Sequence, residues 1–173
     1  MRGYFSQFGL IGLLVWPLAG QAAQSCLAAN IPATSSHLVN NGNGTVSDPK
    51  TGLMWKQCTE GQSGSDCAAG VATYYTWKAG LEQVATLNSQ GGFAGYTDWR
   101  IPNIKELRTI IERQCHQPSI RLDLFPNTPS SWYWSSSPYA KDAAATWGVG
   151  VDAGYDGKNS KSAQGRIRLV RGQ

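Results

Sequence analysis

Pro102-Asn103-Ile104-Lys105-Glu106-Leu107-Arg108-Thr109-Ile110-Ile111 is the stretch on which the fold turns. Asn103 is a residue type that caps helices with its side chain, and Glu106 stands three positions on, where it can reach back to the cap backbone. Ile104, Leu107, Ile110 and Ile111 then recur at helical spacing as one apolar stripe. The sequence therefore predicts a helix that opens after Asn103 and stops near Arg113. An earlier helix is predicted over Thr76 to Asn88. There Trp77, Leu81, Val84, Ala85 and Asn88 share one mostly apolar face, and Gly91-Gly92 ends it.

On either side of this helical centre the period changes to two. Upstream, Asn40-Asn41-Gly42-Asn43-Gly44 supplies the positive φ angles of a tight turn, with Thr45-Val46-Ser47 as the returning strand. Asp48-Pro49-Lys50-Thr51-Gly52 makes a second turn before a short strand, Leu53-Met54-Trp55. Downstream, Trp132-Tyr133-Trp134 is strand-like. Trp147, Val149 and Val151 alternate with Gly148, Gly150 and Asp152, and Arg166-Ile167-Arg168-Leu169-Val170 alternates as well. Strands flanking two helices define an α+β domain.

Residues Met1 to Ala22 have the form of a secretory signal. Arg2 gives the positive start, Phe8 to Leu18 the apolar run, and Gly20 and Ala22 the small residues for cleavage after position 22 or 23. That run is about half the roughly 20 residues a membrane span needs, and no later stretch is longer, so no membrane span is expected. Residues 23–36 then read as an extended arm, and 37–173 as one domain with enough chain for a real core. Four cysteines, Cys26, Cys58, Cys67 and Cys115, follow the signal; an even number in an exported chain implies disulfides. Of the three pairings, Cys58–Cys67 closes a short Gly/Ser-rich loop, and Cys26–Cys115 ties the arm to the body. The expected location is the periplasm, the cell surface or the medium.

Chemistry is harder to find. His37 and His116 have no metal spacing, no nucleophile elbow is present, and the carboxylates are scattered. No catalytic residue, metal site or cofactor is assigned, and the chain is read as a non-enzyme. The Asn40–Asp48 turn offers oxygen ligands of the kind calcium takes, but Asn-rich turns are ordinarily only turns. The net charge is +4, and from Lys158 onward Lys158, Lys161, Arg166, Arg168 and Arg171 occur with no acidic residue among them. The cluster reads as a solvated face or as an anion site. In the second reading Lys158 and Lys161 lie in a loop before the last strand and Arg166 and Arg168 share one face of it. Trp132 or Tyr139 would then offer a ring for stacking. An exported protein with such a site meets anionic polysaccharides or surface proteins of the envelope or a host, rather than nucleic acid.

Several segments resemble the C-terminal domain family of the Legionella collagen-like adhesin. They are Asn41 to Val46 with Thr51 to Trp55, then Gly95-Tyr96-Thr97-Asp98-Trp99-Arg100-Ile101-Pro102-Asn103 running into Lys105-Glu106-Leu107. Phe125 to Pro129 with Tyr133 to Ser137 follows, and Arg166 to Gly172 closes the match. The resemblance implies a C-type-lectin-like fold and binding of sulfated glycosaminoglycans. This chain has no Gly-X-Y region, and Ile101-Pro102-Asn103 is not the sugar signature of calcium-dependent lectins. The expected function is an exported, adhesin-like binding domain for anionic or sulfated glycans or a surface partner. The alternative is a structural or protein-interaction subunit of the envelope or a surface appendage that binds no glycan.

Overall fold

A computed structural model describes residues 23–27 and 35–172. The expected signal and most of the arm lie outside these residues. In chain order the elements are β1 (Ser25–Cys26), β2 (Val39–Asn40), β3 (Thr45–Asp48), β4 (Leu53–Lys56), β5 (Gln62–Ser63) and β6 (Ala69–Gly70). Then come α1 (Trp77–Ser89), α2 (Ile104–Thr109), β7 (Cys115–His116), β8 (Trp132–Pro138), β9 (Ala145–Gly150), β10 (Tyr155–Ser160) and β11 (Val170–Arg171). Among the described residues the named strands pair antiparallel: β2–β3–β4–β11 form one sheet, β8–β9–β10 a second, and β5–β6 and β1–β7 two small ribbons, while Tyr133 of β8 makes one parallel bridge to Arg166. Both expected disulfides are present. Cys58–Cys67 encloses β5, and Cys26–Cys115 joins β1 to β7.

The capping box forms as the sequence predicts. Asn103 Oδ1 accepts from the Glu106 amide at 2.9 Å, and a Glu106 carboxylate oxygen accepts from the Asn103 amide at 2.8 Å. The helix is shorter than expected, because Ile110 leaves helical geometry at φ −96°, ψ 0°. Ile110 and Ile111 still enter the core, from the turn that follows. The stripe on α1 is rotated from the expected face. Gly80 and Val84 are buried, whereas Leu81 and Ala85 are exposed. Gly80 sets that orientation: a Cβ there would stand 3.1 Å from Ile167, so the absent side chain lets the helix settle against it.

Two apolar clusters make the core. One joins Val46, Leu53, Trp55, Leu107, Ile110, Phe125, Tyr133 and Val149 between the two larger sheets and α2. The other gathers Val84, Trp99, Ile101, Trp134, Ile167 and Leu169 beside α1. Residues 165–171 run between them. Gly165 pairs with Tyr75, Arg166 with β8, and Val170 with Trp55 and Arg100. The Leu169 and Ile167 carbonyls accept from the Lys56 and Glu60 amides. This segment is extended, but only Val170–Arg171 belongs to a regular ladder, because it is packed on both sides by different elements.

Candidate functional site

The basic cluster divides into cations used by the fold and cations presented to solvent. Arg168 belongs to the first kind. It is 1% exposed, which corrects the expectation that it shares a solvent face with Arg166. Its guanidinium donates to the Lys56 and Gln57 carbonyls and to the hydroxyls of Thr59 (3.1 Å) and Thr128 (2.7 Å). The Phe125 ring lies 4.7 Å from it. Burial lowers its pKa from the usual range, yet a guanidinium keeps its proton in proteins. Strand alternation assigns Arg168 to the face opposite Ile167 and Leu169, but that face is covered by β4 and the loop after it.

The Asp98-Trp99-Arg100 segment has a similar structural role. Arg100 makes a bidentate pair with Glu106 at 2.7 and 2.8 Å and donates to the Gly172 carbonyl at 2.9 Å. Arg171 is paired with Asp98 at 2.7 and 3.1 Å. Burial pushes the Glu106 carboxyl up, but the Arg100 hydrogen bonds, the Asn103 amide and the Arg100 charge outweigh it and leave the pKa below the carboxylate norm. The Trp99 indole is buried and donates to the Phe93 carbonyl at 3.0 Å.

Lys158, Lys161 and Arg166 differ. Among the described residues none of the three is paired with a carboxylate. Each instead lies over an aromatic ring: Lys158 Nζ is 5.0 Å from the centre of Tyr139, Lys161 Nζ 4.7 Å from Trp77, and the Arg166 guanidinium carbon 4.0 Å from Tyr74. Cations within about 6 Å of a ring centre are attracted by its negative face. Tyr139 is itself edge-on to Trp147, with centroids 5.2 Å apart. A hydrogen bond with Ser131, followed by the Arg166 charge, holds the Tyr74 hydroxyl below its usual pKa. Arg166 also donates to the Ala72 carbonyl and lines a cleft of about 330 Å³ beside the Cys58–Cys67 loop.

Lys158 is not in a loop, as expected, but in β10, opposite Trp147 of β9. Lys158 lies on Tyr139, Lys161 lies on Trp77 and donates to the Ala143 carbonyl (2.8 Å), and Arg166 lies on Tyr74. Trp132 is half-buried and lies on the other face of β8–β9–β10, beside Trp134 at 6.0 Å. Sequence reasoning gave Tyr74 and Trp147 no site role and placed Trp77 only in a helical stripe. Their pairing is long-range and carries no local signal.

No group of three or more His, Cys, Asp or Glu among the described residues is placed to hold a metal. In the Asn40–Asp48 turn Asn41 and Asn43 bond Thr45 and Ser47, and Asp48 Oδ1 receives the Lys50 amide at 2.9 Å and faces His37 at 3.1 Å, while Asp48 Oδ2 is buried without a hydrogen-bond partner. Among the described residues no helix is long and apolar enough to cross a membrane.

Two helices, short antiparallel sheets and two disulfides define a small disulfide-bonded α+β domain. The chain belongs to the Lcl C-terminal domain family, which matches residues 44–171. That family is the one named for the Legionella collagen-like adhesin, and the match spans both helices and every strand from β3 to β11. No curated protein matches the chain.

Proposed function

We propose that this chain is exported by a cleaved signal, residues 1–22, and that its domain over 37–173 is a non-catalytic, adhesin-like binder of anionic or sulfated glycans. The observation that carries this reading is the set Lys158–Tyr139, Lys161–Trp77 and Arg166–Tyr74: cations without carboxylate partners, each beside a ring at least partly open to solvent. A sulfated or uronic sugar has an anionic group and an apolar ring face, so one such pair can satisfy both at once. Trp132 is the additional stacking candidate. The fold reading that goes with this is a C-type-lectin-like scaffold; its support is two helices against short antiparallel sheets, with β11 closing beside β4.

Heparin-affinity chromatography of the mature domain tests the proposal. The K158A/K161A/R166A variant should elute at clearly lower salt than the parent, because attraction between exposed charges is screened by salt. Unchanged elution of the folded variant removes the reading. Should the parent ignore heparin and a sulfated-glycan panel yet be retained by an envelope protein, the structural or protein-interaction role takes its place.

A further inference from the structure

Away from the exposed cations, Lys56, Glu60 and Gln83 form a second polar group. Lys56 ends β4 and is 8% exposed, and Glu60, four residues on, is 5% exposed. Lys56 Nζ stands 2.7 Å from Glu60 Oε2. Gln83, half-buried on α1, donates from Nε2 to Glu60 Oε1 at 3.2 Å. One buried carboxylate thus touches an amine with one oxygen and a primary amide with the other. The Phe93 ring, its centre 4.9 Å from Lys56 Nζ, lies against the amine.

The backbone holds all three in place. The Lys56 and Glu60 amides donate to the Leu169 and Ile167 carbonyls, and the Thr73 amide donates to the Glu60 carbonyl. On the helix side, Gly80 lies against the Ile167 side chain. Gln83 is three residues further along α1 and so on the same side as Gly80. Ile167 therefore positions the carboxylate through its carbonyl and the amide through its side chain. A buried ion pair adds little net stability to a fold, because both charges must leave water. These three groups are instead the parts of an acyl-transfer site: a nucleophile, an acyl donor, and a proton carrier in contact with both.

We propose that Lys56 and Gln83 join in an isopeptide bond, with Glu60 as the catalytic residue. The Glu60 carboxylate takes a proton from the Lys56 ammonium, and the freed Nζ lone pair attacks Gln83 Cδ to form the new C–N bond. Glu60 returns that proton to Nε2, the Cδ–Nε2 bond breaks, and ammonia leaves. The second proton that Nζ sheds passes through Glu60 to the ammonia, which reaches solvent as ammonium. A lysine ammonium and a primary amide become a secondary amide and ammonium, with nothing oxidised or reduced and Glu60 restored. Fixed contact between the reacting groups replaces the external enzyme such a bond otherwise needs. The bond ties β4 to α1, and it does not rest on the anionic-glycan proposal.

Mass spectrometry of the mature, disulfide-intact domain tests this. The intact chain should be lighter by one ammonia. Trypsin after reduction should leave residues 51–78 uncut at Lys56 and joined to residues 79–100. The joined fragment is the decisive readout, because a cyclised amino-terminal Gln or a succinimide at Asn41 or Asn43 also loses ammonia but joins nothing. Q83A and E60Q, each checked for cooperative thermal unfolding, should yield the two fragments separately, with cleavage after Lys56 restored. K158A/K161A/R166A should keep the cross-link while losing heparin. Separate fragments from the parent, a cross-link from Lys56 to another residue, or an equal yield of the joined fragment from E60Q would overturn the proposal. None of these results bears on the heparin experiment.

Discussion

Arg168 and Lys158 lie ten residues apart in one basic stretch, and the fold treats them in opposite ways. Arg168 is enclosed by two backbone carbonyls and two hydroxyls. Lys158 extends over a tyrosine ring at the edge of a sheet. Arg100 and Arg171 fall with Arg168, since each is engaged by a carboxylate. Lys161 and Arg166 fall with Lys158. Positive charge in the sequence therefore does not mark a binding surface by itself. Rings lie beside members of both groups, so what separates them is the number and kind of hydrogen-bond partners: Arg168 is held by four oxygens and Arg100 and Arg171 by carboxylates, whereas Lys161 and Arg166 each donate to one carbonyl and have no carboxylate partner among the described residues.

The strongest way to break this division is R168L. It removes four hydrogen bonds at once and leaves two buried carbonyls without a donor, which should cost about 3–5 kcal/mol, a value within reach of urea unfolding. A loss under about 1 kcal/mol would return Arg168 to the surface set. E106Q comes next. It weakens the bidentate bond to Arg100 and should cost about 1–2 kcal/mol. The same pair predicts a pH dependence. The folded-state pKa of Glu106 is depressed below its usual 4.5, so its contribution is present above that value and is lost as pH falls through the folded pKa. Urea midpoints between about pH 6 and about pH 3 should fall less steeply for E106Q than for the parent. The smallest effect on stability belongs to K158A and K161A, less than about 0.5 kcal/mol each in thermal or urea unfolding. Those two substitutions should nevertheless lower the salt at which the domain leaves heparin, and that contrast is the sharpest form of the comparison.

What could be read in advance was local. The Asn103–Glu106 capping box, the Asn-Gly turn before Thr45 and the short Cys58–Cys67 loop each depend on residues close in sequence, and all three form. β10 was invisible because Tyr155-Asp156-Gly157-Lys158-Asn159-Ser160 has little intrinsic preference for a strand; pairing along its whole length with β9 makes it one. Alternation correctly placed Ile167 and Leu169 together, but nothing local says that β4 covers the opposite side, which is why Arg168 was misplaced. The aromatic partners of the exposed lysines were illegible for the same reason. Trp77 and Lys161, or Tyr139 and Lys158, are neighbours only after the chain has folded.

Residues 165–171 come after every element they join, except β11, which they contain. Until they arrive, Tyr75, Lys56, Glu60, Trp134 and Arg100 lack the backbone partners they have in the finished domain, and the places of Ile167, Leu169 and Val170 in the two apolar clusters are vacant. A chain emerging amino end first therefore holds nearly all of its parts without the piece that locks them. Pairings of such sequence separation form slowly. Completion of this domain is thus tied to the last of its elements to emerge, and the two apolar clusters close together only when residues 165–171 are in place.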